Sequence, residues 1–156
     1  SLSLKNTGMA IINDTIDVNE QKDHGKHWSE RIHPKNKEDV GLRLAYLTLA
    51  KDYGLDIVAS GPIFKESVTS GNTIRIIFEH TGRGLKWRDK NSSNHSFQIS
   101  NNGSTFVKAN ARIDGHTVLL SGISNPRYVK FAWSNIPTVN LVNSSGLPAS
   151  SFRAVP

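Results

Sequence analysis

The apolar positions follow two different periods, and the change falls near Ile57. Before it, Met9-Ala-Ile-Ile-Asn-Asp-Thr-Ile-Asp-Val18 is rich in apolar and β-branched residues and reads as a strand. Residues 19–32 are polar and read as a loop. Asn36 is placed to cap a helix whose third position is Asp39. Val40, Leu42, Leu44, Ala45, Leu47, Ala50 and Tyr53 follow, with no proline and no glycine after Gly41. The spacing predicts a helix from Lys37 to Tyr53, closed by Gly54 and packed against residues 57–156 through Leu44, Leu47 and the residues beside them. Strand, loop and helix in succession is the rhythm at the edge of an α/β sheet.

After Ile57 the period shortens. The runs Asn72–His80, Ser96–Ser100, Thr105–Ile113, Thr117–Ser121 and Tyr128–Trp133 are separated by Gly, Asn, Ser and Pro, which is the pattern of a β-sandwich. Asn102-Gly103 and Asp114-Gly115 are the expected hairpin turns. The chain therefore divides into residues 1–56 and 57–156, with Ser60-Gly61-Pro62 as either a linker or a crossing strand. The expected fold class is mainly β: a C-terminal, jelly-roll-like sandwich preceded by one strand and one helix of α/β type.

Composition narrows the function classes. Of 156 residues, 37% are hydrophobic and 21% charged, a globular balance. No apolar run approaches the roughly 20 residues that cross a bilayer, and the first residues have neither the basic start nor the apolar core of a secretory signal. Without cysteine there is no disulfide framework, thiolate metal site or cysteine nucleophile. The net charge of +6 is uneven. Residues 1–56 hold 8 Lys/Arg against 9 Asp/Glu, and residues 57–156 hold 11 against 4. In the second segment only Arg83, Lys86, Arg88 and Lys90 cluster, and a solvated loop accounts for them better than a nucleic-acid surface does.

Two stretches resemble the sialate O-acetylesterase family, a branch of the SGNH (GDSL-like) hydrolases. Ile32-His-Pro-Lys-Asn-Lys37, followed by Glu38-Asp-Val-Gly-Leu-Arg-Leu-Ala45, is similar to that family's catalytic-histidine block and the helix after it. Phe131-Ala-Trp-Ser-Asn-Ile-Pro137, Asn140-Leu-Val-Asn143 and Gly146-Leu-Pro-Ala-Ser-Ser-Phe-Arg153 are similar to its C-terminal end. Ser60-Gly-Pro62, Gly84-Leu85 and Phe106-Val-Lys-Ala109 fall between them in the family's order. The resemblance implies the last strand and helix of an α/β esterase domain followed by a β-sandwich. It also implies removal of O-acetyl groups from sialic acids or related sugars, with no cofactor, in a periplasmic or secreted setting.

In the SGNH pattern a histidine lies three residues after an acidic residue, which here gives His33 and Glu30. Aspartate is usual at that position, so Asp23 is an alternative partner. His33 would take the proton of a serine as it attacks the ester, and the carboxylate would hold the imidazole tautomer and stabilise the imidazolium. Neither a Gly-Asp-Ser block nor a Gly-x-Ser-x-Gly elbow is present, so the serine is expected in a preceding part of the esterase domain and this chain alone is expected to be inactive.

His24, His27 and His33 follow no zinc-ligand spacing, and no metal is expected. His80, His95 and His116 read as surface residues. Trp87 reads either as a sugar-stacking, substrate-binding platform beside basic neighbours or as an aromatic closing the sandwich edge. Trp133 reads as core or interface. The competing reading of the whole chain is a non-catalytic carbohydrate-binding sandwich, against which the Ile32–Lys37 block argues. Partners that are nucleic acid or membrane are not expected.

Overall fold

A computed structural model describes residues 4, 7–15, 33–93 and 95–155. A single α-helix, α1 (Lys37–Lys51), precedes ten strands among these residues. Asn36 caps α1 as expected, its side chain accepting a hydrogen bond from the Asp39 amide at 3.0 Å. The helix ends two residues before Tyr53. Gly54 follows with a left-handed φ of +69°, and the Leu55 amide reaches back to the Leu49 carbonyl at 3.0 Å.

The strand expected from Met9 does not form over its described part, residues 9–15. The chain turns at Asn13-Asp14, where the Thr15 amide and hydroxyl both donate to the Ile12 carbonyl. A strand persists only where a neighbour fills its ladder of hydrogen bonds, and no described segment runs alongside this one.

The ten strands are β1 (Ile63–Ser70), β2 (Thr73–Glu79), β3 (Leu85–Trp87), β4 (Phe97–Ser100), β5 (Val107–Lys108), β6 (Asn110–Asp114), β7 (Thr117–Ser121), β8 (Tyr128–Phe131), β9 (Leu141–Asn143) and β10 (Phe152–Ala154). One four-stranded sheet runs β1-β2-β7-β6 and a second runs β10-β8-β4-β5, while β3 and β9 form a separate ribbon. Every pairing is antiparallel. The region beyond Ile57 is therefore all β, as its periodicity predicted.

Alternation makes the core. In β2 and β7, Ile74, Ile76, Val118 and Leu120 are fully buried, while Arg75 on the opposite face pairs with Asp114 at 2.7 Å. In the second sheet Phe97, Phe131 and Phe152 lie directly across from one another on three strands. The Phe97 and Phe131 ring centroids are 4.5 Å apart, and Phe152 reaches Phe64 and Phe78 from the first sheet at 4.5 and 5.9 Å. Aromatic contact across the layers joins the two sheets into one core.

The turns follow local chemistry. Gly115 carries the tight β6–β7 turn with φ +62°, and Gly71 does the same between β1 and β2 with φ +57°. Asn102-Gly103 turns the chain between β4 and β5, with the Asn102 side chain accepting from the amides of Ser104 and Thr105. At Ala132 the backbone takes a left-handed φ of +48° and ends β8. That conformation costs a residue bearing a Cβ about 1–2 kcal/mol. It is held by the Ala132 amide donating to the Ser96 carbonyl and the Ser151 hydroxyl donating to the Ala132 carbonyl.

Candidate functional site

His33 stands exposed three residues before the Asn36 cap, at the approach to α1. Among the described residues its ring has no hydrogen-bond or ion-pair partner. Glu30 and Asp23, the two candidate acids, lie outside the described residues, as do His24 and His27. The next residue, Pro34, is half-buried and lines a cavity of about 300 Å³ with Ile11, Ile12, Asn13, Ser150 and Ser151. Two distant parts of the sequence, residues 11–15 and the C-terminal Ser150-Ser151, thus meet beside the histidine block.

An ionic node fixes that meeting point. Arg43 turns inward from α1 and is buried. Its Nη1 donates to the Ile11 carbonyl at 2.7 Å and to Asp14 Oδ1 at 2.5 Å, and its Nη2 donates to Asp14 Oδ2 at 3.0 Å and Asp39 Oδ2 at 3.1 Å. Arg88, just after β3, closes on the same Asp14 Oδ2 at 2.6 Å. Burial pushes the Asp14 carboxyl up. The hydrogen bonds and charges of Arg43 and Arg88 outweigh this and hold it below the usual carboxylate value. One carboxylate shared by two guanidinium groups therefore ties residues 11–14, the helix and the sandwich together.

Arg43 also changes the helix face read from the sequence. It takes the inward position, with Asp39, Val40, Tyr46, Leu47 and Ala50 partly covered beside it, so Leu42 and Leu44 turn outward, 43% and 51% exposed. The expected packing through Leu44 is thus not made, and Leu47 instead meets Gly8, its Cδ1 standing 3.5 Å from where a glycine Cβ would be. The missed signal was Asp39 and Arg43, acid and base one turn apart.

The basic cluster after β2 is partly engaged. Arg88 serves the node, Lys86 Nζ donates to the Ser144 carbonyl at 3.1 Å, and the Arg83 amide donates to the Ser144 hydroxyl. Trp87 is half-buried, packs against the core, and carries the His95 ring stacked on it at 3.9 Å and 18°. Burial, and then the charge of Lys108, lowers the His95 pKa, so the neutral imidazole is favoured there. His116 is exposed, with Nδ1 2.7 Å from the buried Thr81 hydroxyl. Trp133 is 53% exposed and so lies outside the core, following the left-handed Ala132 that ends the strand. Among the described residues no three His, Asp or Glu side chains converge in a metal-binding arrangement.

The asparagines of Asn140-Leu-Val-Asn143 prove structural. The fully buried Asn143 amide donates to the carbonyls of Ser60 and His80, and its oxygen accepts from the amides of Ser145 and Leu147. Asn140 accepts from the Asp89 amide and donates to the Asp89 carbonyl. Gly61 lies under this knot, where a Cβ would stand 1.8 Å from the Pro148 carbonyl oxygen. Buried and hydrogen-bonded in this way, residues 60–62 are built into the sandwich.

No family model and no curated protein matches the sequence. Among solved structures, the chain is similar to the crystal structure of a novel carbohydrate acetylesterase from Xanthomonas citri. The TM-score is 0.73 and the identity 35%, over 78% of this chain. The chain spans 29% of that neighbour's length.

Proposed function

We propose that this chain is the C-terminal part of a carboxylic ester hydrolase that removes acetyl groups from carbohydrate, O-acetylated sialic acid or a related acetylated sugar being the substrate. The observation that carries the reading is the similarity, at 35% identity, to a carbohydrate acetylesterase. The Ile32–Lys37 block supports it through its resemblance to the catalytic-histidine block of such esterases, for which a binding module has no use.

In this reading His33 is the general base. It takes the proton from a serine hydroxyl in the preceding part of the esterase domain as the oxygen attacks the acetyl carbonyl. It returns that proton to the departing sugar oxygen when the tetrahedral intermediate collapses, then activates the water that releases acetate. Glu30 orients the ring and stabilises its protonated form. The node at Asp14 keeps α1 and residues 11–14 in register, so the histidine block is carried on a fixed base.

The test is acetate release from an acetylated sugar by the longer polypeptide that carries this chain. His33→Ala should lower kcat on the order of a thousandfold, and Glu30→Gln by somewhat less. Near-full activity of the folded His33→Ala protein would overturn the reading. So would turnover by this chain alone that disappears when one of its own serines is replaced.

A further inference from the structure

The outer face of the second sheet has a composition that its fold does not require. Arg153, Lys130, Gln98 and Lys108 stand directly across from one another on β10, β8, β4 and β5, forming one row over four strands. Neighbouring strands lie about 4.8 Å apart, so the row runs roughly 14 Å. None of the four strands carries Asp or Glu. Arg153 and Lys130 are directly opposite, an arrangement that destabilises a sheet by like-charge repulsion. The first sheet pairs its outward Arg75 with Asp114.

Aromatic rings and a groove accompany this row. Lys130 Nζ lies 3.6 Å from the centroid of the Phe106 ring, and the Arg153 guanidinium lies over Trp133 at 5.5 Å. Trp133 and Lys108 both line a groove of about 290 Å³ whose other polar groups include Gln98, Ser134 and Thr138. The groove's geometry is braced by two left-handed residues, Ser96 and Ala132, bonded to each other, and Ser96 also donates through its hydroxyl to the Thr138 carbonyl. Backbone held in such conformations clusters at binding sites.

We propose that this groove binds a carboxylate-bearing sugar, a uronic acid unit, with the pyranose ring against Trp133 and the carboxylate on Lys108. An exposed indole offers a flat apolar surface to the C–H face of a sugar, while amide and hydroxyl groups serve its hydroxyls. The cations select an acid over a neutral ring. This site does not depend on the ester-hydrolase reading, since it uses neither His33 nor Glu30.

The test is calorimetric titration of this chain with a glucuronic-acid-terminated disaccharide and with the corresponding glucose-terminated disaccharide. The acid should bind at least about tenfold more tightly. Lys108→Gln should abolish that preference while leaving the neutral sugar unaffected, and Trp133→Ala should weaken both about tenfold or more at an unchanged melting temperature. Trp133→Leu gives the same readout should the alanine variant fold poorly. Absence of acid-sugar binding at up to about 10 mM would overturn the proposal, as would equal affinity for the two sugars. Tighter binding of a short single-stranded DNA that survives Trp133→Ala would overturn it in favour of a general polyanion surface.

Discussion

The sandwich, β1 to β10, and the segment made of residues 7–15 and 33–51 are held in place by different forces. The sandwich buries its own apolar residues: Phe97, Phe131, Ile74, Ile76, Val118 and Leu120 have almost no exposed surface, and both sheets contribute to one cluster. The helix and the segment before it bury Ile11 and an arginine. Their hold on the sandwich runs through Arg88 on Asp14 and through Asn13, which donates to the Ala149 carbonyl and the Ser151 hydroxyl at 3.1 Å each. A hydrophobic core is non-directional and tolerant of small shifts. A shared carboxylate fixes register but loses its whole effect when one group is altered.

The largest expected effect lies in the sandwich. Phe131→Ala leaves a cavity in the middle of the Phe97–Phe131–Phe152 row and should cost about 3–5 kcal/mol, read as a loss of global stability in chemical denaturation. The helical segment should be lost along with it. A Phe131→Ala chain that kept its midpoint would show that the core is not the source of cooperativity.

Next is the node. Asp14→Asn removes the charge that two guanidinium groups share and should destabilise the helical segment by about 3 kcal/mol. Amide exchange should rise in α1 while the β2 and β7 amides keep their protection. The pH dependence has a definite sign. Because the folded pKa of Asp14 lies below the ordinary carboxylate value, its contribution is fully present above about pH 4 and disappears as pH falls through the lower folded value. Protection of α1 should thus fall on acidification in the wild-type chain and be flatter in Asp14→Asn. Equal sensitivity in both chains would remove Asp14 as the link.

Much of the sandwich was legible because alternation and turn residues are local signals. Thr117–Ser121 and the Asn36 cap were read to the residue. The strands β1, β3, β9 and β10 have no counterpart among the runs read from the sequence: β1 is largely exposed and lacks a clear apolar alternation, and three-residue strands carry too short a pattern. The first strand was misread because β-branched residues state a propensity while the ladder is supplied by a neighbour. Leu44 was misplaced because nothing in a hydrophobic count anticipates an arginine taking the inward position. At the candidate site the histidine block was found through its resemblance to a known family. The Asp14–Arg43–Arg88 node joins residues 29 and 74 positions apart from Asp14 in the chain, and no local pattern connects them.

The smallest expected effect isolates the helix from the node. Asn36 accepts the Asp39 amide, one of the first-turn donors without a helical partner, and Asn36→Ala should cost about 1 kcal/mol. Glu38 and Asp39 remain in the first turn and keep their favourable interaction with the helix N-terminus, so the loss should stay near that of the single hydrogen bond. Because the Asp39 carboxylate also accepts a hydrogen bond from Arg43 Nη2, the cap and the node share one residue. Combining Asn36→Ala with Asp14→Asn should then show coupling, with a double-variant cost that departs from the sum of the two by about 0.5 kcal/mol or more. Strict additivity in α1 amide exchange would mean that the cap positions only the first turn and that the histidine block is carried by the node alone.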